Sequence, residues 1–337
     1  MGQGYKIGVD LGTKNTIVYV GGKGIIYNEP TVVAFDQESK KPIAIGHSAS
    51  EMLGKEHKKV KVVKPLDGGV ISNLEATKII LSFIFNKIQE DGNGDIKKST
   101  LLICCPCDMT STEREALEKL GTELNIKDVF VEQEIKAGAI GAGVDIFTAK
   151  GSLVIDIGGG STDVGVLSLG DLVIAESIRK AGQYIDNEII KYVKVHYGMI
   201  IGERTAEQIK INLGTLRKDI EEDKEYSFAG RSLENNLPRR KTIKQSEIRN
   251  ILVRIFDSIS TKVINVLQGT PPELAADILE NGIVINGGGA LIDGVEEYFE
   301  TVTGITTYIS KYPLTSIAEG GKTLLKNRGN YLVKPID

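Results

Sequence analysis

A short strand ending in aspartate, a turn of small residues, a second strand, a glycine turn and a third strand follow one another twice in this chain. The first copy runs through residues 5–10, the turn LGTKN, residues 16–20, Gly21-Gly22 and residues 24–28. The second runs through residues 153–156, the turn IGGGS, residues 162–168, Gly170-Asp171 and residues 172–176. Alternating apolar runs broken by such turns read as antiparallel meanders. A repeated supersecondary unit implies two similar lobes, and 337 residues suffice for two at roughly 150 residues per domain. In each copy the aspartate, Asp10 or Asp156, is followed at once by small residues: Gly12-Thr13 in one, Gly158-Gly159-Gly160-Ser161 in the other. Glycine lets a turn tighten and lets backbone N–H groups approach an anion. Two phosphate-sized turns facing each other are the expectation, with Asp10 and Asp156 as anchors for a hydrated Mg²⁺, which keeps several waters and takes one or two carboxylates.

Helical patterns follow each meander. Within residues 75–89, Ile80, Phe83, Ile84 and Ile88 repeat at amphipathic spacing and are expected in the core. Thr110 to Glu113 reads as a capping box opening a helix to Leu124, residues 128–132 as a short strand, and residues 135–143 as a helix of small residues. Strands alternating with helices make the class α/β with mixed sheets. Residues 218–249, rich in charge, are placed in a solvated subdomain of the second lobe. A third cluster, Gly287-Gly288-Gly289, follows an apolar strand and offers a seat for a base, ribose or α-phosphate. Glu203, Glu207 and Lys210 share a helical face, where solvated salt bridges are the default. The one Gly-Lys-Thr, at 321–323, lacks the leading glycine of a Walker A loop, and no G-x-G-x-x-G follows a strand.

Composition removes other classes. The 41 Lys and Arg against 45 Asp and Glu give a net charge of -4, so no global positive field attracts nucleic acid. No apolar window reaches the roughly 20 residues of a spanning helix and residues 1–6 hold no apolar leader, which points to the cytoplasm. Lys6 stands where a Gly2 myristoylation motif wants Ser or Thr. Cys104, Cys105 and Cys107, with His47, His57 and His196 scattered, read as buried thiols rather than a zinc site.

Together DLGTKNT, ICCPCDMT, EQEIKAGAIGAG, DIGGGSTDVGVLSLG, IGERTAEQIK, TPPELAADI and GIVINGGGALIDG resemble the actin superfamily, in particular its bacterial, MreB-type branch, in order and across almost the whole chain. The resemblance implies an actin-like ATPase fold, two RNase H-like lobes each with a smaller appended subdomain. It divides the chain into 1–31, 70–143 and 313–337 (IA), 32–69 (IB), 144–181 and 250–312 (IIA), and 182–249 (IIB). It implies ATP or ADP with Mg²⁺ between the lobes. Gly12, Thr13, Lys14 and Asn15 then form one phosphate loop and Gly158, Gly159, Gly160 and Ser161 the other. Glu207 and Lys210 contact ribose or adenine, and Gly288 and Gly289 lie beside the nucleotide. GAIGAG becomes a hinge helix, Glu134 positions the attacking water, and Asp156 and Ser161 complete the catalytic set. Gln133, Ile135, Gln183 and Asn286 depart from the family pattern of Glu, Pro, Asp and Thr. The function implied is a slow ATPase that polymerises head-to-tail into paired protofilaments and governs cell shape beneath the inner membrane. Its partners are further copies, other actin-like or membrane shape proteins and an anionic lipid surface reached through Lys326, Arg328 and Lys334. Residues 90–95 (EDGNGD) replace an apolar membrane loop, and Phe83 and Phe85 nearby are assigned to the core. An actin-fold small-molecule kinase is the alternative, and a chaperone nucleotide-binding module a third reading.

Overall fold

Residues 3–90, 92 and 94–326 are described by a computed structural model of the chain. The Gly2 motif, Asp91 and Asn93 of the acidic loop, and Arg328 and Lys334 lie outside the described residues. Two five-stranded mixed sheets share one topology. In the first, the strands run Asp128–Gln133, Thr100–Cys105, Lys6–Leu11, Asn15–Val20, Gly24–Pro30. In the second they run Ile283–Asn286 beside Thr307–Ile309 on one flank of Ser152–Ile157, with Thr162–Ser168 and Asp171–Ile178 on the other. In each sheet the Asp-bearing strand is central, antiparallel to its meander partner and parallel to a later strand. The duplication seen in the sequence is therefore a duplication of sheet order.

Two apolar cores follow. One packs the first sheet against the helix Leu74–Glu90 through Ile80, Ile84 and Ile88; the other packs the second sheet against the long helix Gln245–Gly269. Phe85 is buried as expected, but Phe83 is 44% exposed. At 3.6 residues per turn the buried stripe centres on Thr77, Leu81 and Ile84, which leaves Phe83 on its rim, edge-on to Tyr27. The capping box forms: the Thr110 hydroxyl accepts from Glu113 N–H and the Glu113 carboxylate accepts from Thr110 N–H. Small three-stranded sheets occupy 33–63 and 199–244, the second mostly exposed along Pro238–Lys244 as its charge predicts. The Gly-Lys-Thr at 321–323 sits inside the helix Ser316–Lys326 and forms no phosphate turn.

The helix Glu134–Gly141 lies where the two lobes meet. Its small residues admit the helix Ser316–Lys326 at backbone distance: a Cβ on Gly320 would overlap the Ala137 carbonyl oxygen, and one on Gly141 would overlap that of Ser316. Neither neighbour is a flexible side chain, so the cost belongs to the fold. Gly320→Ala is expected to destabilise the chain by about 3 kcal/mol or more, at the upper end of overpacking costs, read as a shift in the urea midpoint. A wild-type midpoint would show that the two helices can separate freely.

Candidate functional site

Both turns after the Asp-bearing strands close the same way. Gly12 N–H donates to the Asn15 carbonyl (3.1 Å) and Gly158 N–H to that of Ser161 (3.0 Å). The two loops meet across the lobes, for a Cβ on Gly160 would overlap Thr13 Oγ1 and Gly69 N, so only glycine permits the approach. Gly69 N–H, in the turn between the short strands Leu66–Asp67 and Val70–Ile71, donates to Thr13 Oγ1 (3.0 Å). The cavity between the lobes has a volume of ≈ 470 Å³. Its walls include the residues that the resemblance assigns to phosphate, nucleotide, metal and catalysis, Asp10, Gly12, Thr13, Lys14, Asn15, Glu134, Asp156, Gly158, Gly159, Gly160, Ser161, Glu207, Lys210, Gly288 and Gly289, but not Glu203. Gly288 and Gly289 lie in a 3₁₀ turn, Gly288–Leu291, and the next helix begins at Val295.

Carboxylates crowd the floor. Asp10 and Asp156 sit at the ends of the two central strands, Asp163 faces Asp156 directly in the antiparallel register, and Glu134 opens the helix Glu134–Gly141. Burial pushes Asp10 up to about 7. Burial, with the charges of Asp163 and Asp10, pushes Asp156 up to about 8. Asp163 rises to about 6 through burial, tempered by hydrogen bonds from Ser177 and the Cys107 N–H. Glu134 is held well above the usual carboxylate range by burial first and then by Asp10, Asp163, Asp156 and Asp108. Like charges this close in low dielectric cannot all ionise without a cation. Neither Asp156 oxygen completes a hydrogen bond among the described residues, and the Asn286 amide beside it only moderates the shift. Buried polar atoms are normally satisfied, so these two oxygens fit an external donor set: the waters of a hydrated metal. No group of three His, Cys, Asp or Glu able to hold a metal occurs among the described residues, so such an ion would also depend on phosphate oxygens.

Positive charge enters from above. Lys14 Nζ reaches across the cleft to Asp186 (2.8 Å) and Glu207 (3.0 Å), and Lys210 Nζ lies 2.8 Å from Asp186. Burial works against the Lys14 ammonium, but the two carboxylates outweigh it and raise its pKa. Burial raises Glu207 less than Lys14, Lys210 and Lys64 lower it. Glu203 pairs with Lys64 of the opposite lobe. Glu203 and Glu207 are thus inter-lobe ties, and Lys210 a tie within the second lobe, rather than the solvated surface pairs expected from spacing. Gln183 does likewise, donating to Asp67 (2.9 Å) and accepting from Gly68 N–H (3.3 Å). Arg179 pairs with Asp108 on the far side of the seam. Among the cysteines, Cys104 and Cys105 are buried and Cys107 is half-buried; all three are free, and burial raises each thiol.

Two acids in this constellation escape a reading by motif: Asp163 and Asp186. Each had a signal. Asp163 interrupts a strand that is buried at every position, and Asp186 stands beside the apolar stripe Ile185, Ile189, Val193 of the helix Gly182–Tyr197. A charge on a buried face is rarely idle.

Comparison with known proteins agrees with this geometry. Residues 4–332 match the MreB/Mbl protein family. The cell shape-determining protein Mbl of Bacillus subtilis (strain 168) is 40% identical over 321 residues, 95% of this chain and 96% of that one. The cell shape-determining protein MreB of Escherichia coli (strain K12) is 38% identical over 325 residues, 95% of this chain and 93% of that one. MreB5 of Spiroplasma citri superposes in its ADP-bound and AMPPNP-bound crystal structures with a TM-score of 0.91 at 39% identity, covering 96% and 97% of this chain and 97% of each of theirs. The MamK double helical filament, at 20% identity and a TM-score of 0.78 over 96% of this chain and 98% of that one, shows the shared fold alone. These relatives give the kinase alternative no support. The two lobes form an actin-like α/β fold, and the chain belongs to the MreB/Mbl family of cell shape-determining, actin-like proteins.

Proposed function

We propose that this chain binds ATP with Mg²⁺ in the inter-lobe cavity, hydrolyses it slowly to ADP and phosphate, and adds head-to-tail into filaments that govern cell shape at the inner face of the plasma membrane. The observation that carries the reading is the single cavity in which two matching glycine turns face each other over a floor of carboxylates. The turns Gly12–Asn15 and Gly158–Ser161 would present backbone N–H groups to the phosphates. Glu207 and Lys210 would border ribose and adenine, with Gly288 and Gly289 beneath. Asp10 and Asp156 would hold Mg²⁺ through water, and the ion would neutralise charge on the phosphates. Glu134 orients the attacking water by hydrogen bonding, with Ser161 as helper. Burial and the neighbouring acids hold its carboxyl well above the usual carboxylate range, so work as a base draws on the added positive charge of the loaded site.

The four-part division, 1–31 with 70–143 and 313–337, 32–69, 144–181 with 250–312, and 182–249, is part of the same proposal. The shared sheet order supports it, as does the small sheet appended to each lobe. Head-to-tail contacts between different faces do not close, so they extend into filaments. Paired protofilaments, other shape proteins and an anionic lipid surface complete the proposed partners; no helix among the described residues is long and apolar enough to cross a membrane. Phosphate released from Mg-ATP tests the enzymatic half. Slow release to water, with no phosphorylated product when sugars and polyols are added, is the expected outcome; a phosphorylated metabolite would instead restore the kinase reading.

A further inference from the structure

The hinge helix Glu134–Gly141 carries one charged side chain beyond Glu134, namely Lys136. The apolar side chains of this helix are divided between the lobes. Ile135 and Ala139 pack with Val154 and Leu167 of the second sheet, whereas Ala137 packs with Leu102, Cys104 and Leu324 of the first lobe. Apolar contacts of this kind carry no direction of their own. Lys136 supplies direction. Its side chain is 11% exposed, with Nζ 3.2 Å from Glu132 Oε1 and 2.6 Å from Asp171 Oδ1. Glu132 lies on the strand that runs straight into the helix, so that tie is local. Asp171 opens the edge strand of the second lobe, and its turn is anchored by Leu169 N–H to the Thr148 carbonyl (2.8 Å) and Gly170 N–H to that of Ile146 (2.7 Å).

The geometry points to Lys136 as a positioning residue for hydrolysis: by tying the hinge helix to Asp171, it sets where Glu134 stands relative to the phosphate turn Gly158–Ser161. The inference rests on the reading of Glu134 as the group that orients water. Glu134 and Lys136 are two residues apart on one short helix, so any rotation that the ion pair prevents would move Glu134. Misplacement of a reacting group by about 1 Å can cost about 10²-fold in rate. Burying an ammonium is expensive unless it is paired, which makes Lys136 a poor choice for a merely structural helix position.

The test compares Lys136→Met, Lys136→Arg, Asp171→Asn and Glu132→Gln in the full chain, by steady-state phosphate release with Mg-ATP. Lys136→Met is expected to fold, because the acids it frees are 22% and 75% exposed and reach water; a thermal melt checks this. Lys136→Met and Asp171→Asn should each lower kcat at least about ten-fold with the KM for ATP within about two-fold, Lys136→Arg should recover most of the loss, and Glu132→Gln should change little. Wild-type kcat in Lys136→Met, a loss confined to KM, or an equal loss in Glu132→Gln would overturn the inference. A second reading needs no turnover: spin labels at Lys119 and Thr261, one on each lobe, should show a broader distance distribution in Lys136→Met and Asp171→Asn than in wild type. An unchanged distribution overturns the tie even if the chain releases no phosphate, whereas absent release with a broadened distribution counts against the ATPase reading alone.

Discussion

Replacing Glu134 by Gln should lower phosphate release by roughly 10²–10⁴-fold, the usual worth of a positioned acid–base group, while ATP still binds and filaments still form. Glu134 opens the helix Glu134–Gly141 at the wall it shares with Asp10, Asp156 and Asp163. Gln keeps the volume and the hydrogen-bonding reach but cannot accept the proton of water. The substitution therefore separates chemistry from binding, because the turns Gly12–Asn15 and Gly158–Ser161 are each closed by their own backbone. Single-turnover phosphate release measured beside ATP affinity decides the matter. Unchanged release would move the water-positioning role to another residue of the carboxylate floor.

Asp156→Asn should act in opposite directions on the empty and the loaded protein. Burial, with the charges of Asp163 and Asp10, holds the Asp156 carboxyl at about 8 against an ordinary value of 3.8. The folded chain thus holds a proton that the unfolded chain releases, so the stability linked to this group is fully present below pH about 4 and is lost as pH rises through about 8. Asp10 and Asp163, at about 7 and 6, add to the same slope. Asn carries no such proton. The thermal midpoint of nucleotide-free Asp156→Asn should exceed that of wild type at pH 8 and fall less between pH 5 and 8. With Mg-ATP the order should reverse, because the anchor for the ion's waters is gone; outer-shell partners of this sort are worth roughly 10–100-fold in affinity. Equal pH slopes, or undiminished Mg-dependent stabilisation, would remove Asp156 from the metal's surroundings.

The residues that could be read from the sequence are those whose job is local. The Asp-turn pairs at Asp10 and Asp156, the capping box at Thr110 and the close-packed small residues around Gly141 declare themselves within a few positions, because backbone geometry fixes which residue types can stand there. What stayed hidden depends on partners far along the chain. Lys14 meets Asp186 and Glu207 across separations of 172 and 193 residues, and no periodicity carries that information. The same holds for Lys64 with Glu203 and Gln183 with Asp67, which turn a helix face that looks solvated into the clasp of a cleft. Phe83 shows the converse error: spacing alone places it on the apolar stripe, but a stripe has a centre, and Leu81 and Thr77 set it on the other side. Asp163 and Lys136 could have been flagged as charges on buried elements, though their partners could not have been named.

On the proposed reading, nucleotide in the inter-lobe cavity gates assembly. Sedimentation combined with electron microscopy, run with Mg-ATP, with Mg-ADP and without nucleotide, tests it most directly. Filaments should pellet with Mg-ATP, with less polymer in ADP or without nucleotide. Absence of filaments in all three conditions, or equal filaments in all three, would contradict it.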